Sequence, residues 1–184
     1  MSQRPSQLGP QWRPGVDGML FRRAARVLLL DQDDRILLVR GHDVDDPTRG
    51  WWFTIGGGLD PAETSAQAAS RELREETGIV IDPDQLIGPV MRREARFDFQ
   101  RATVRQQEEF FLARVHRPPA LLTDGWTDIE RGFMDELRWF TLAQLQRIQI
   151  ELFPERLPQL LPGWIAGWDG TLLDLGLDVD GTGS

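Results

Sequence analysis

The sequence predicts an α/β fold built as a layered sheet, on three observations. Apolar runs of strand length recur between turn signals. A single long segment carries helix signals at both ends. Strands stand before and after that helix in mixed order, which points to a sheet with helices packed on it. In order along the chain, residues 1–18 are proline- and glycine-rich and are expected to form a flexible N-terminal arm. A single domain is expected over residues 19–165, and residues 166–184, without a clear period, are expected to be a C-terminal tail.

Within the domain, "RRAARVLLLDQDDRILLVRG" reads as two strands around a polar turn at residues 31–34, a β-hairpin pattern. "WWFTI" (51–55) is a short strand that runs into three glycines. The helix follows over Ala62–Thr77. Thr64 and Gln67 have capping-box spacing, and Gly78 stands where a left-handed residue ends a helix. "IVI" (79–81) is expected to resume as strand, and residues 89–97 and 103–115 read as two longer strands joined near "DFQR". Residues 116–136 form a long polar connection, of a length more often functional than inert. "LRWF" is a strand, and "LAQLQRI", capped by Thr141, is the expected closing helix.

Composition narrows the chemistry. The chain has 184 residues, no cysteine and a net charge of −8. Disulfides, cysteine nucleophiles and cysteine-based zinc sites are excluded together. An acidic chain is not expected to hold nucleic acid in a stable complex. No apolar run approaches the length needed to span a membrane, and no signal-peptide pattern is present, so a cytoplasmic location is expected. All 21 basic residues are arginine, which leaves no lysine for a Schiff base and makes every cationic contact a planar guanidinium.

The stretch "GGGLDPAETSAQAASRELREETGI" (56–79) concentrates the chemistry. On a helix, Glu72, Glu75 and Glu76 fall within an arc of about 100° at the margin of the face that carries Ala62, Ala66, Ala69 and Leu73. Carboxylates so placed repel one another by a few tenths of a kcal/mol per pair unless a cation joins them. Oxygen donors without histidine or cysteine select Mg²⁺, or Mn²⁺ in its place. The alternative is a solvated acidic helix end. The wider spacing decides against it: Gly57, Glu63, Arg71, Glu72, Leu73, Glu75, Glu76, Gly78 and Ile79 match G-x5-E-x7-R-E-U-x-E-E-x-G-U, with U aliphatic. Chance would produce that match about once in 10⁷ chains of this length.

This motif resembles the defining box of the Nudix hydrolase family. The resemblance implies an α/β/α sandwich with a mixed sheet, and hydrolysis of a nucleoside diphosphate linked to another group. It implies Mg²⁺ held by Glu72, Glu75, Glu76 and the carbonyl of Gly56, with Arg71 and Glu63 bracing the loop–helix junction. Ile55 departs from the family, which often has proline there. For the general base the candidates are a box glutamate, Glu75 or Glu76, and Glu130 in the long connection. Gly57 and Gly58 would let backbone approach the substrate.

Arg92, Arg93, Arg96, Arg101 and Arg105 lie on or between the middle strands, with Arg96 the candidate phosphate contact. Trp51, Phe97, Phe99 and Trp126 are candidates for stacking on a base. Of Glu108 and Glu109, adjacent on a strand, only one can face the cleft. The expected substrate is a small nucleotide derivative, with triphosphate, nucleotide sugar and dinucleotide all open. No interface stands out, and a homodimer is compatible with the sequence. The reading from a different class is a non-catalytic Nudix-type nucleotide-binding sensor, which complete box carboxylates argue against.

Overall fold

A computed structural model of the protein describes residues 10–99 and 102–179. Among the described residues nine strands form one mixed sheet: β1 Arg13–Pro14, β2 Leu20–Leu30, β3 Ile36–His42, β4 Gly50–Gly58, β5 Ile87–Phe99, β6 Ala102–Arg114, β7 Met134–Phe140, β8 Glu151–Phe153 and β9 Leu173–Val179. The path through it runs β7-β3-β4-β2-β6-β5-β9, with β1 beside β2 and β8 beside β4. The helices are α1 Ser65–Thr77, α2 Asp128–Arg131, α3 Leu142–Leu145 and α4 Leu157–Ala166.

β2 explains the architecture. Its residues alternate between two cores, and both cores are apolar. Val27 and Leu29 pack with Ala68, Ala69 and Leu73 of α1. Leu28 and Leu30 pack with Leu157, Leu161 and Trp164 of α4. A strand covered on both faces reads as a continuous apolar run rather than an alternating one, which is why "AARVLLL" is unbroken. Each fully buried leucine contributes roughly 1.5–3 kcal/mol. The expected α/β/α sandwich is therefore present.

The hairpin expected from β2 and β3 pairs only at its turn, Leu30 opposite Ile36. Beyond that point β4 enters between the two strands, antiparallel to both. Asp31 shapes the turn by accepting from the backbone N–H groups of Asp33 and Arg35, both at 2.9 Å. This insertion puts the glycines of β4 opposite Ala24–Arg26 of β2. Ile55, in the place where the family often has proline, pairs with Val27 and is fully buried.

The ends of α1 follow the sequence signals. Thr64 Oγ1 accepts from the Gln67 N–H and the Gln67 side chain accepts from the Thr64 N–H, while Gly78 takes a left-handed φ of 76°. Other expectations need correction. "IVI" joins no strand ladder; its Ile81 carbonyl instead accepts from Ser70 Oγ at 2.6 Å. "LAQLQRI" gives only the single turn α3, and the longer closing helix is α4, which has Pro162 in its interior. The segment expected as tail contributes β9, parallel to β5 at the sheet edge. Of the expected arm, residues 1–9 lie outside the described residues. Residues 13–14 pair with β2, and Trp12 is buried. Among the described residues no helix is long and apolar enough to cross a membrane.

Candidate functional site

A cleft of about 360 Å³ opens where the glycine end of β4 meets α1, β2, β5, β6 and the loop around α2. Glycine is required on this strand by what lies against it. A Cβ on Gly57 would stand 2.6 Å from Glu72 Oε1, and one on Gly58 would stand 2.0 Å from Gln11 Oε1. Gly56 has a φ of 134°, and a Cβ there would meet the Ala25 carbonyl at 2.1 Å. Removing three side chains lets the carboxylates of α1 touch the strand backbone directly.

One turn of α1 separates Glu72 from Glu76, and Glu130 joins them from α2. An oxygen of each lies within 4.8 Å of the other two. Glu72 and Glu76 are buried, and Glu130 is half-buried. Glu76 accepts from the Gly56 N–H at 3.0 Å and has no cation within 4 Å among the described residues. Burial raises its carboxyl well above the ordinary range, and the charges of Glu72 and Glu130 add to that. Burial likewise raises Glu72, although the Arg71 guanidinium works in the opposite sense. Three converging carboxylates without histidine or cysteine are a hard-oxygen donor set, and their mutual repulsion is relieved by a divalent cation. The residues fit one.

Arg71 ties the box together. Its Nε–H and one terminal N–H donate to the two oxygens of Glu63, each at 2.9 Å, and it also donates to the Gly58 carbonyl at 3.0 Å. Its other terminal nitrogen donates to Glu72 at 2.8 Å and Glu75 at 3.2 Å. These contacts join the loop at Glu63, the end of β4 and α1. Burial alone would raise Glu63; the Arg71 hydrogen bonds and the Asp60 N–H overcome it and hold the carboxyl low.

Of the other expected ligands, Glu75 lines the cleft, half-exposed, with an oxygen 3.2 Å from Arg71, and Glu130 stands with Glu72 and Glu76 in the cluster. The Gly56 carbonyl accepts from Arg26 at 2.7 Å. Glu130 also has a local duty: one of its oxygens accepts from the Thr127 N–H and hydroxyl, each at 2.7 Å, closing a capping box.

Strand parity decides which middle-strand residues reach the cleft. Arg93 and Glu108 face each other across β5 and β6 and both line it. Arg96, three residues on from Arg93, points to the opposite face and is not among the lining residues, so the expected phosphate contact there is corrected. Glu109 faces away and accepts from Ser65 on α1. Glu108 is the centre of a buried network that sequence reasoning missed: it accepts from Arg26 at 2.8 Å, Arg93 at 2.6 Å and Gln106 at 2.6 Å. Burial would raise it, but Arg93 and Arg26 hold its carboxyl down to about 2. Its signal was the arginine–glutamate complementarity of three strands, which carries no register by itself.

Trp51 and Phe97 line the cleft. Trp126 is buried and donates from Nε1 to the Glu76 carbonyl at 2.9 Å, a structural contact. Arg101 and the Phe99 side chain lie outside the described residues.

Comparison with known proteins agrees with the geometry. Residues 20–162 match the NUDIX domain family. An RNA pyrophosphohydrolase of Erythrobacter litoralis is 28% identical over 132 residues, covering 61% of this chain and 79% of that protein. The uncharacterized Nudix hydrolase YvcI of Bacillus subtilis is 42% identical over 70 residues, 38% of this chain and 41% of its own length. An RNA pyrophosphohydrolase of Xanthomonas oryzae pv. oryzae is 29% identical over 132 residues, and the match covers 67% of this chain and 61% of that protein. In fold, a C. elegans Ap4A hydrolase superposes with a TM-score of 0.57 at 20% identity, covering 79% of this chain and 98% of that one. The chain belongs to the NUDIX domain family.

Proposed function

We propose that the protein is an Mg²⁺-dependent hydrolase that cleaves a diphosphate linkage in a nucleotide or nucleotide derivative. The observation that carries this reading is the convergence of Glu72, Glu76 and Glu130 in a cleft floored by glycine backbone. The names of the relatives point the same way, since RNA pyrophosphohydrolases and an Ap4A hydrolase act on phosphoanhydrides.

Glu72 and Glu76 would hold the cation, with Glu130 beside them and Glu75 at the rim. When bound, Mg²⁺ would neutralise diphosphate oxygens and lower the pKa of a water. The chain's own groups supply the rest. Gly57 and Gly58 leave room for phosphates against the strand, and Arg71 keeps that strand and α1 in one geometry. Glu130, half-buried and anchored through one oxygen, receives a proton from the attacking water. The Trp51 and Phe97 side chains offer flat apolar surface to a base.

The test is a panel of nucleoside triphosphates, nucleotide sugars and dinucleotides, with and without Mg²⁺, scored for released phosphate or diphosphate. Wild type should turn over at least one class only with the metal. Glu76→Gln should lose that activity by about 10³-fold or more while melting cooperatively. Full turnover by Glu76→Gln would remove the cluster from the chemistry.

A further inference from the structure

Five arginines line the cleft: Arg22, Arg26, Arg49, Arg71 and Arg93. Four are neutralised by carboxylates. Arg26 and Arg93 share Glu108, Arg49 pairs with Glu151, and Arg71 pairs with Glu63. Arg22 alone has no carboxylate within 4 Å among the described residues. Its guanidinium is nevertheless fixed. It lies 4.4 Å over the ring of Trp12, and its Nε–H donates to Gln106 Oε1. Gln106 cannot turn its amide around, because its NH₂ already donates to Glu108 at 2.6 Å. Burial and then the Arg26 charge pull the Arg22 pKa down to about 10, against the opposing charges of Glu72, Glu108 and Glu130. With Nε committed, the two terminal nitrogens remain as a planar fork.

We propose that Arg22 is an anion subsite that takes a phosphate group of the substrate beyond the diphosphate held at the glutamates. A guanidinium pinned in orientation matches the two-oxygen edge of a phosphate, and no ordering of the side chain is needed on binding. Trp12, which covers the guanidinium, precedes the segment that matches the family domain, whereas Arg22 and Gln106 lie within it. The inference rests on the proposed function for the location of the cleaved linkage. It makes nucleotides with an extended phosphate chain, rather than nucleotide sugars, the favoured class.

The test uses inorganic tripolyphosphate with EDTA present, so that the glutamate cluster and its metal play no part. Calorimetric titration of the full chain should show binding that Arg22→Gln weakens about 10- to 100-fold. Arg22→Lys keeps a charge but not the fork, and should fall between the two; it also serves if Arg22→Gln does not fold. Equal affinity for wild type and either folded variant would overturn the proposal, as would no binding by wild type at millimolar concentration. Loss of tripolyphosphate binding in Arg22→Gln beside intact hydrolysis in Glu76→Gln would sink the proposed function and leave the subsite standing.

Discussion

Glu130 sets a carboxylate oxygen within 4.8 Å of one on Glu76, although two long strands separate them in the chain. The approach is secured at its base. Trp126 donates to the Glu76 carbonyl, and Gly125 packs where a Cβ would strike the Glu75 carbonyl at 2.2 Å. Glu130→Gln retains the capping geometry, since glutamine also closes a capping box, and so should leave the melting temperature nearly unchanged. Its kcat at saturating Mg²⁺ should fall about 10²- to 10⁴-fold. Calorimetric Mn²⁺ titration should show Glu76→Gln and Glu130→Gln each losing more affinity than Glu75→Gln; the reverse order would return Glu75 to the centre of the site.

Gly57 touches the Glu72 carboxylate with its bare Cα. The new methyl of Gly57→Ala would stand 2.6 Å from Glu72 Oε1 and must push that side chain away. The fold should survive, because the methyl meets the carboxylate end of one side chain rather than backbone. Mn²⁺ affinity should drop at least about tenfold, roughly 1.4 kcal/mol. Unchanged affinity would mean that Glu72 is not a ligand.

Arg71 holds Glu63 and Glu72 at once, both largely buried. Its removal leaves two carboxylates without their cation, so Arg71→Ala should lower unfolding free energy by about 2–4 kcal/mol in urea titration. Arg71→Lys should recover little of it, because an ammonium cannot make the two-pronged contact with Glu63.

Glu108 sets a pH window. Its folded pKa of about 2 lies below the ordinary 4.5, so the folded state holds this group's proton less tightly than the unfolded chain. Its stabilisation is complete above about pH 4.5 and is lost as pH falls toward 2. The two pKa values correspond to a contribution on the order of 3 kcal/mol. Glu108→Gln should therefore be less stable than wild type at pH 7, and the gap should close between pH 4.5 and 2. A gap that stays constant through that window would show that the carboxylate charge is not what stabilises the arginine pair.

What the sequence by itself determined is local. The Thr64–Gln67 capping box, the Gly78 stop and the i, i+4 spacing of Glu72 and Glu76 all act within a few turns of one helix, where backbone geometry leaves no freedom. The motif spacing from Gly57 to Ile79 identified the family on the same short scale. Tertiary structure decided what depends on register and chain return. Pleat parity sent Arg93 to the cleft and Arg96 away, and parity becomes a direction only once β5 has paired with β6. The loop before α2 had to fold back before Glu130 could join a helix it follows by two strands. β9 and the Trp12 segment carry weak local signals because their order comes from the sheet edge and the aromatic–arginine contact that receive them. Side-chain charge is written in the sequence, but which arginine of the cleft lacks a carboxylate among the described residues is settled only when the other four have found theirs.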